Sequence, residues 1–152
     1  KSLISEKTAE ALCTAAKDGY ALAAKRIFDD STLFVLQQGD ANPNNFFAKA
    51  NNEFVLVDFQ EAACAHPLFD LTWLFVTSVS PELRRECQDE LLRRYLTKLG
   101  AKDVDEAKFL AQYRQALRLH GLFILEIVGN VPIDTNTWVG RLLMCCIAAF
   151  ED

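Results

Sequence analysis

The stretch FVLQQGDANPNNFFAKANNEFVLVDFQ, residues 34–60, limits what this chain can fold into more than any other. Three short β-type apolar runs, at 33–36, 46–48 and 54–57, alternate there with polar turns. Asn51-Asn52 tolerates left-handed backbone and makes a tight turn, so the second and third runs read as a hairpin. An aspartate stands at the edge of an apolar run on either side, Asp40 before the hairpin and Asp58 after it.

The rest reads as helix. Residues 5–29 are rich in Ala, Leu, Lys and Glu, and from Pro67 the pattern is helical almost to the end. Ser80-Pro81 is a helix start, because serine caps free amides and proline fits the first helical position. Leu83, Cys87, Leu91 and Tyr95 recur every four residues and predict the buried face of that helix. Asp89–Arg93 and Glu90–Arg94 are spaced as i,i+4 ion pairs on its outer side, and Gly100 is the stop. A helix over 105–128 would turn Phe109, Tyr113, Leu117, Ile124 and Ile127 inward and end at Gly129, Asn130 and Pro132. A last helix from Asp134 or Thr135 would bury Val139, Leu142, Leu143 and Cys146.

A length of 152 residues is most simply one domain, able to hold a core without staples. The net charge of −5 argues against a nucleic-acid partner, since phosphate contacts need clustered Lys and Arg. The five cysteines include no C-x-x-C pair and read as reduced thiols of a cytoplasmic protein. The longest apolar run, 142–150, falls far short of the about 20 residues of a membrane span.

The hairpin has two readings. Asn and Asp in loops are commonly turn residues, and Asn42, Asn51 and Asn52 fit that role. Asn45 and Asp58 stand where the chain enters and leaves the hairpin, so an antiparallel pairing brings them together at its open end. An amide oxygen and a carboxylate there are hard ligands of the kind Mg²⁺ accepts, with water and phosphate completing the shell. Asp40 lies five residues before Asn45 in a loop that can curl towards the same space. Two metal ligands beside a further carboxylate is what phosphoryl transfer asks for.

QGDANPNN, then VLVDFQ, then DLTWLF resembles the Asp-x-x-x-x-Asn catalytic loop and metal-binding Asp of kinase-fold small-molecule phosphotransferases, the group of aminoglycoside phosphotransferases and choline kinases. The paired Asn44-Asn45, Gln60 after Asp58-Phe59, and FVTSVSPELRRECQDELLRRYLTKL resemble its CHK, or ecdysteroid-kinase-like, branch, over residues 33–99. The resemblance implies an α+β, mostly helical fold: a protein-kinase-like C-terminal lobe with a small β-hairpin at the catalytic loop. It implies ATP and Mg²⁺ as cofactors and an alcohol as acceptor, and the branch suggests a sterol-like or other lipophilic one. Asp40 would be the catalytic Asp, Asn45 and Asp58 the Mg²⁺ and nucleotide ligands, and Asp70 the anchor of the catalytic loop through its backbone amides.

Two positions depart from the pattern. Gln38 stands where the family usually has His, as a scaffold of the loop, and Ala65 stands where a Gly precedes P-x-x-D. The 32 residues before the first β run hold no glycine-rich loop, so the expectation is a C-terminal lobe whose nucleotide lobe is absent from this chain. A catalytically inactive lobe that serves as an interaction module is the alternative. Outside the motifs, His120, Trp73 and Trp138 read as core, His66 as a loop residue and Glu126 as a pocket-rim position.

Overall fold

The computed structural model describes residues 25, 33–128 and 138–151 of the chain. The helix expected over 5–29, the stop at Gly129–Pro132 and the start near Asp134 lie outside the described residues. So do the side chains of Glu126, Ile127, Trp138 and Val139.

The order is β1 (Val35–Gln37), a 3-10 turn (Pro43–Asn45), β2 (Phe46–Ala48), β3 (Phe54–Leu56), β4 (Ala63–Ala65), α1 (Leu68–Ser78), α2 (Pro81–Leu99), α3 (Glu106–Val128) and α4 (Trp138–Glu151). The architecture is α+β: helices carry the core and two small antiparallel sheets lie beside it. β2 pairs with β3 through Phe46↔Leu56, Phe47↔Val55 and Ala48↔Phe54, closed by Asn52 in left-handed backbone with φ 60°. The second sheet joins β1 to β4, with Val35 opposite Ala65 and Gln37 opposite Ala63. β4 is absent from the sequence reading, because Ala-Cys-Ala has little strand propensity of its own. Pairing with β1 imposes it, and it replaces the tight turn expected at Ala65. Ala65 is extended strand, so no glycine is needed there.

The core gathers Leu68, Phe75 and Val76 of α1, Leu92 and Leu96 of α2, Phe109, Tyr113, Leu117 and Ile124 of α3, and Leu143 and Cys146 of α4. Gly121 on α3 faces the Cys146 carbonyl of α4, where an added Cβ would lie 2.9 Å from the oxygen, so the two helices meet backbone to backbone. No helix among the described residues is long and apolar enough to cross a membrane.

α2 starts and stops as its caps predict. Ser80 Oγ accepts from the Leu83 amide, and Gly100, at φ 69°, donates back to the last turn. Its buried face differs from the expectation. Leu83 is 53% and Leu91 42% exposed, while Arg84, Leu92 and Leu96 are buried. The packed stripe runs one residue later, over 84, 88, 92 and 96, with the same four-residue recurrence. Polar residues disguise it: Arg84 is buried whole, and Gln88 Oε1 accepts from Tyr113 Oη at 2.9 Å. The expected i,i+4 pairing also gives way at Asp89 and Arg93. Arg93 reaches Glu106 at 2.8 Å and Asp89 takes Arg114 at 3.3 Å, which ties α2 to α3.

His120 is 1% exposed, as a core histidine should be, and its Nδ1 lies 2.6 Å from Thr72 Oγ1. Burial lowers its pKa from 6.5 to about 4. Between those values the unfolded chain binds the proton and the folded chain does not, so stability falls as pH drops through that window. The loss attributable to this group is about 3 kcal/mol. Urea unfolding at pH 7 and pH 4.5 is expected to show a smaller pH difference in His120→Phe than in the wild type. An equal difference in both would remove His120 as the cause.

Candidate active site

The site is assembled by α1. Its first turn carries Asp70, whose Oδ2 accepts from the Gln38 amide at 2.7 Å and whose Oδ1 accepts from the Gly39 amide at 3.0 Å. Gly39 is left-handed, at φ +92°, so the chain turns sharply after these two amides. A Cβ on Gly39 would stand 2.1 Å from the Glu61 carbonyl oxygen, so the position excludes every side chain. Burial raises the Asp70 pKa most, the two amides pull it down, and the nearby Asp40 charge raises it again. Burial together with the Asp70 charge also raises the Tyr95 phenol on α2.

Gln38 is buried and joins the loop to the strand end that carries Asp58. Its Nε2 donates to the Val57 carbonyl at 3.1 Å and the Asp58 carbonyl at 2.6 Å, and its Oε1 accepts from the Asp40 amide at 2.8 Å. An amide side chain has donors and an acceptor for these three bonds at once, so the residue that departs from the family pattern is fully engaged. Gln37, next to it, donates to the His66 carbonyl. His66 is a loop residue but buried, stacked on Phe109, and its Nδ1 accepts from the Leu68 amide at the start of α1.

Asp40 and Asn45 are in direct contact. Asn45 Nδ2 donates to Asp40 Oδ2 at 3.1 Å and to the Asp40 carbonyl at 2.9 Å. Two acceptors fix the amide with its nitrogen towards Asp40, which leaves Asn45 Oδ1 as the side-chain acceptor on the other side. The loop between them is held locally: Asn42 Oδ1 caps the 3-10 turn through the Asn44 amide at 3.0 Å, and Pro43 opens it. Asn42 is therefore turn chemistry, and Asn51 likewise, its Oδ1 accepting from the Glu53 amide at 3.3 Å.

The hairpin register puts Asn45 opposite Val57, whose amide donates to the Asn45 carbonyl at 3.0 Å, with Asp58 one residue further on. Asp58 leaves the strand at φ 58°, a left-handed conformation that Asp adopts more readily than most residues. It is exposed, and among the described residues its carboxylate has no donor. Asp40, Asn45, Gln38 and Asp70 thus form one bonded cluster, to which Asp58 is joined through its backbone. The described residues contain no group of three His, Cys, Asp or Glu side chains suited to a metal ion. A Mg²⁺ site of one carboxylate and one amide oxygen does not require such a group, and Asn45 Oδ1 with the Asp58 carboxylate are donors of the type such a site uses.

Trp73 packs against the core as expected, and its indole Nε1 also donates to Asp40 Oδ1 at 2.9 Å. The available signal was spacing: Asp70 and Trp73 are three apart on a helix and share a face.

The ecdysteroid kinase-like family model matches residues 3–108, more than half of the chain. The chain belongs to the ecdysteroid kinase-like family. No curated protein and no solved structure matches it. The matched stretch contains the whole Gln38–Asp70 cluster.

Gly39→Ala is expected to destabilise the fold by roughly 1–3 kcal/mol, through an unfavourable φ and a collision with backbone. A urea midpoint equal to the wild type's would contradict the close approach of Gly39 to Glu61.

Proposed function

We propose that this chain is the C-terminal lobe of an ATP-dependent phosphotransferase that phosphorylates a hydroxyl group of a small molecule. The observation that carries the reading is the bonded Asp40–Asn45 pair, with the exposed Asp58 one residue beyond Val57, the ladder partner of Asn45. Asn45 Oδ1 and Asp58 would hold Mg²⁺, which when bound screens the charge of the nucleotide phosphates. Asp40 would accept a hydrogen bond from the acceptor hydroxyl and orient its oxygen in line with the γ-phosphorus. As the new O–P bond forms and the bond to the ADP oxygen breaks, the hydroxyl proton passes to the Asp40 carboxylate. Positioning is the larger contribution of such a residue, since a loose transition state makes the hydroxyl acidic only late.

The family name points to a sterol-like or other lipophilic alcohol as the acceptor class. A second lobe of the same protein would close over ATP from the other side, and by that reading these 152 residues alone turn over no substrate. The same reading puts the activity in the cytoplasm, where ATP is supplied and thiols stay reduced. The alternative of an inactive lobe drew on Gln38 and Ala65. The three bonds made by Gln38 and the strand pairing of Ala65 weigh against it.

Asp58→Asn is the clean test of the metal ligand, because Asn tolerates the same left-handed backbone and should leave stability within about 0.5 kcal/mol. In the full-length protein this variant is expected to lose Mg²⁺-dependent ATP binding in calorimetry. Asp40→Asn is expected to bind ATP normally while turnover falls by at least about 100-fold. Equal ATP affinity in the wild type and Asp58→Asn would sink the metal assignment.

A further inference from the structure

We infer that Trp73 is the positioning residue of the Asp40 carboxylate, which rests on the reading of Asp40 as the group that meets the acceptor hydroxyl. A carboxylate on a loop can rotate about its last side-chain bond, and a base that rotates loses the alignment that gives it value. Here the rotation is stopped from two sides by donors on different elements. Trp73 Nε1, from α1, holds Oδ1 at 2.9 Å, and Asn45 Nδ2, from the 3-10 turn, holds Oδ2 at 3.1 Å.

The indole suits the task because it is a donor only and cannot compete for the proton that Asp40 is to receive. It is also held firmly. His120 packs on it edge to face, with ring centroids 5.6 Å apart, and Phe123 lies tilted at 6.2 Å. His120 is itself fixed by Thr72 and by the edge of Phe69 at 5.0 Å. Trp73 and Asp70 sit one turn apart on α1, so a single helix face holds the Gln38 and Gly39 amides through an acceptor and the Asp40 side chain through a donor. Each Asp40 oxygen keeps a second lone-pair direction, which leaves room for the acceptor hydroxyl.

Two experiments on the full-length protein test this. The first follows the Trp73 indole N–H by nitrogen-15 NMR, assigned by its loss in Trp73→Phe and, should that variant not fold, by residue-specific labelling. Asp40→Ala is expected to move the resonance upfield, as loss of a carboxylate partner does, while Asp58→Ala leaves it in place. The second measures kinetics of Trp73→Phe, where kcat is expected to fall roughly 10- to 100-fold with KM for ATP within about twofold.

An indole resonance indifferent to Asp40→Ala would overturn the pairing. Wild-type kcat in Trp73→Phe would overturn the positioning role and leave a purely structural bond. If the wild type transfers phosphate to no alcohol, the phosphotransferase reading falls instead, and the NMR result still decides whether Trp73 orients Asp40.

Discussion

One half-buried carboxylate organises the candidate site. Asp70 accepts two consecutive backbone amides, and a loop held at two adjacent amides has little freedom left. The residues that follow inherit that fixed start: Asp40 comes next, and Gln38 turns its side chain onto the Val57 and Asp58 carbonyls. Gly39 is explained by what surrounds that pair. The loop turns there in left-handed backbone, and only a missing side chain lets it lie on Glu61. Burial opposes ionisation of Asp70, and the two amides favour it, which is the balance expected where a charge is used to hold backbone.

The helix that presents Asp70 serves two masters. Leu68, Thr72, Phe75 and Val76 form its buried face, packed against α3, while Asp70 and Trp73 face the loop. The site is therefore only as rigid as the packing behind α1. That packing includes a buried polar pair, Thr72 and His120, which fixes the rotation of α1 against α3 more specifically than apolar contacts alone. The edge contact of Phe75 with Tyr113, at 5.7 Å, adds a second fixed point further along the same two helices.

Much of this was legible in the residues. The hairpin turn at Asn51-Asn52, the Ser80 and Gly100 caps and the inward series Phe109, Tyr113 and Leu117 follow from local chemistry that no tertiary contact has to override. The proximity of Asp40 and Asn45 follows from a five-residue loop with a proline. Partners distant in the chain are less legible. The α2 stripe reads one residue early because Arg84 and Gln88 look like surface residues until the Gln88–Tyr113 bond and the burial of Arg84 are known. β4 is invisible because its strand character belongs to β1. Trp73 reads correctly as packed on the core, but its bond to Asp40 is hidden because an indole N–H announces no partner in a sequence.

The sequence by itself determined where the turns and caps fall, which residues carry charge and amide groups around the hairpin, and the family to which the chain belongs. These depend on side-chain chemistry within a few residues of one another. The tertiary structure decided which way each group faces: the amide nitrogen of Asn45 towards Asp40, the Asp58 carboxylate outward, and the Trp73 indole onto Asp40. The first rests on a bond between residues five apart, but the loop that makes it is held by bonds between residues 20 to 33 positions apart, such as Gln38 with Asp58 and Asp40 with Trp73, and only the packed fold brings those partners within reach.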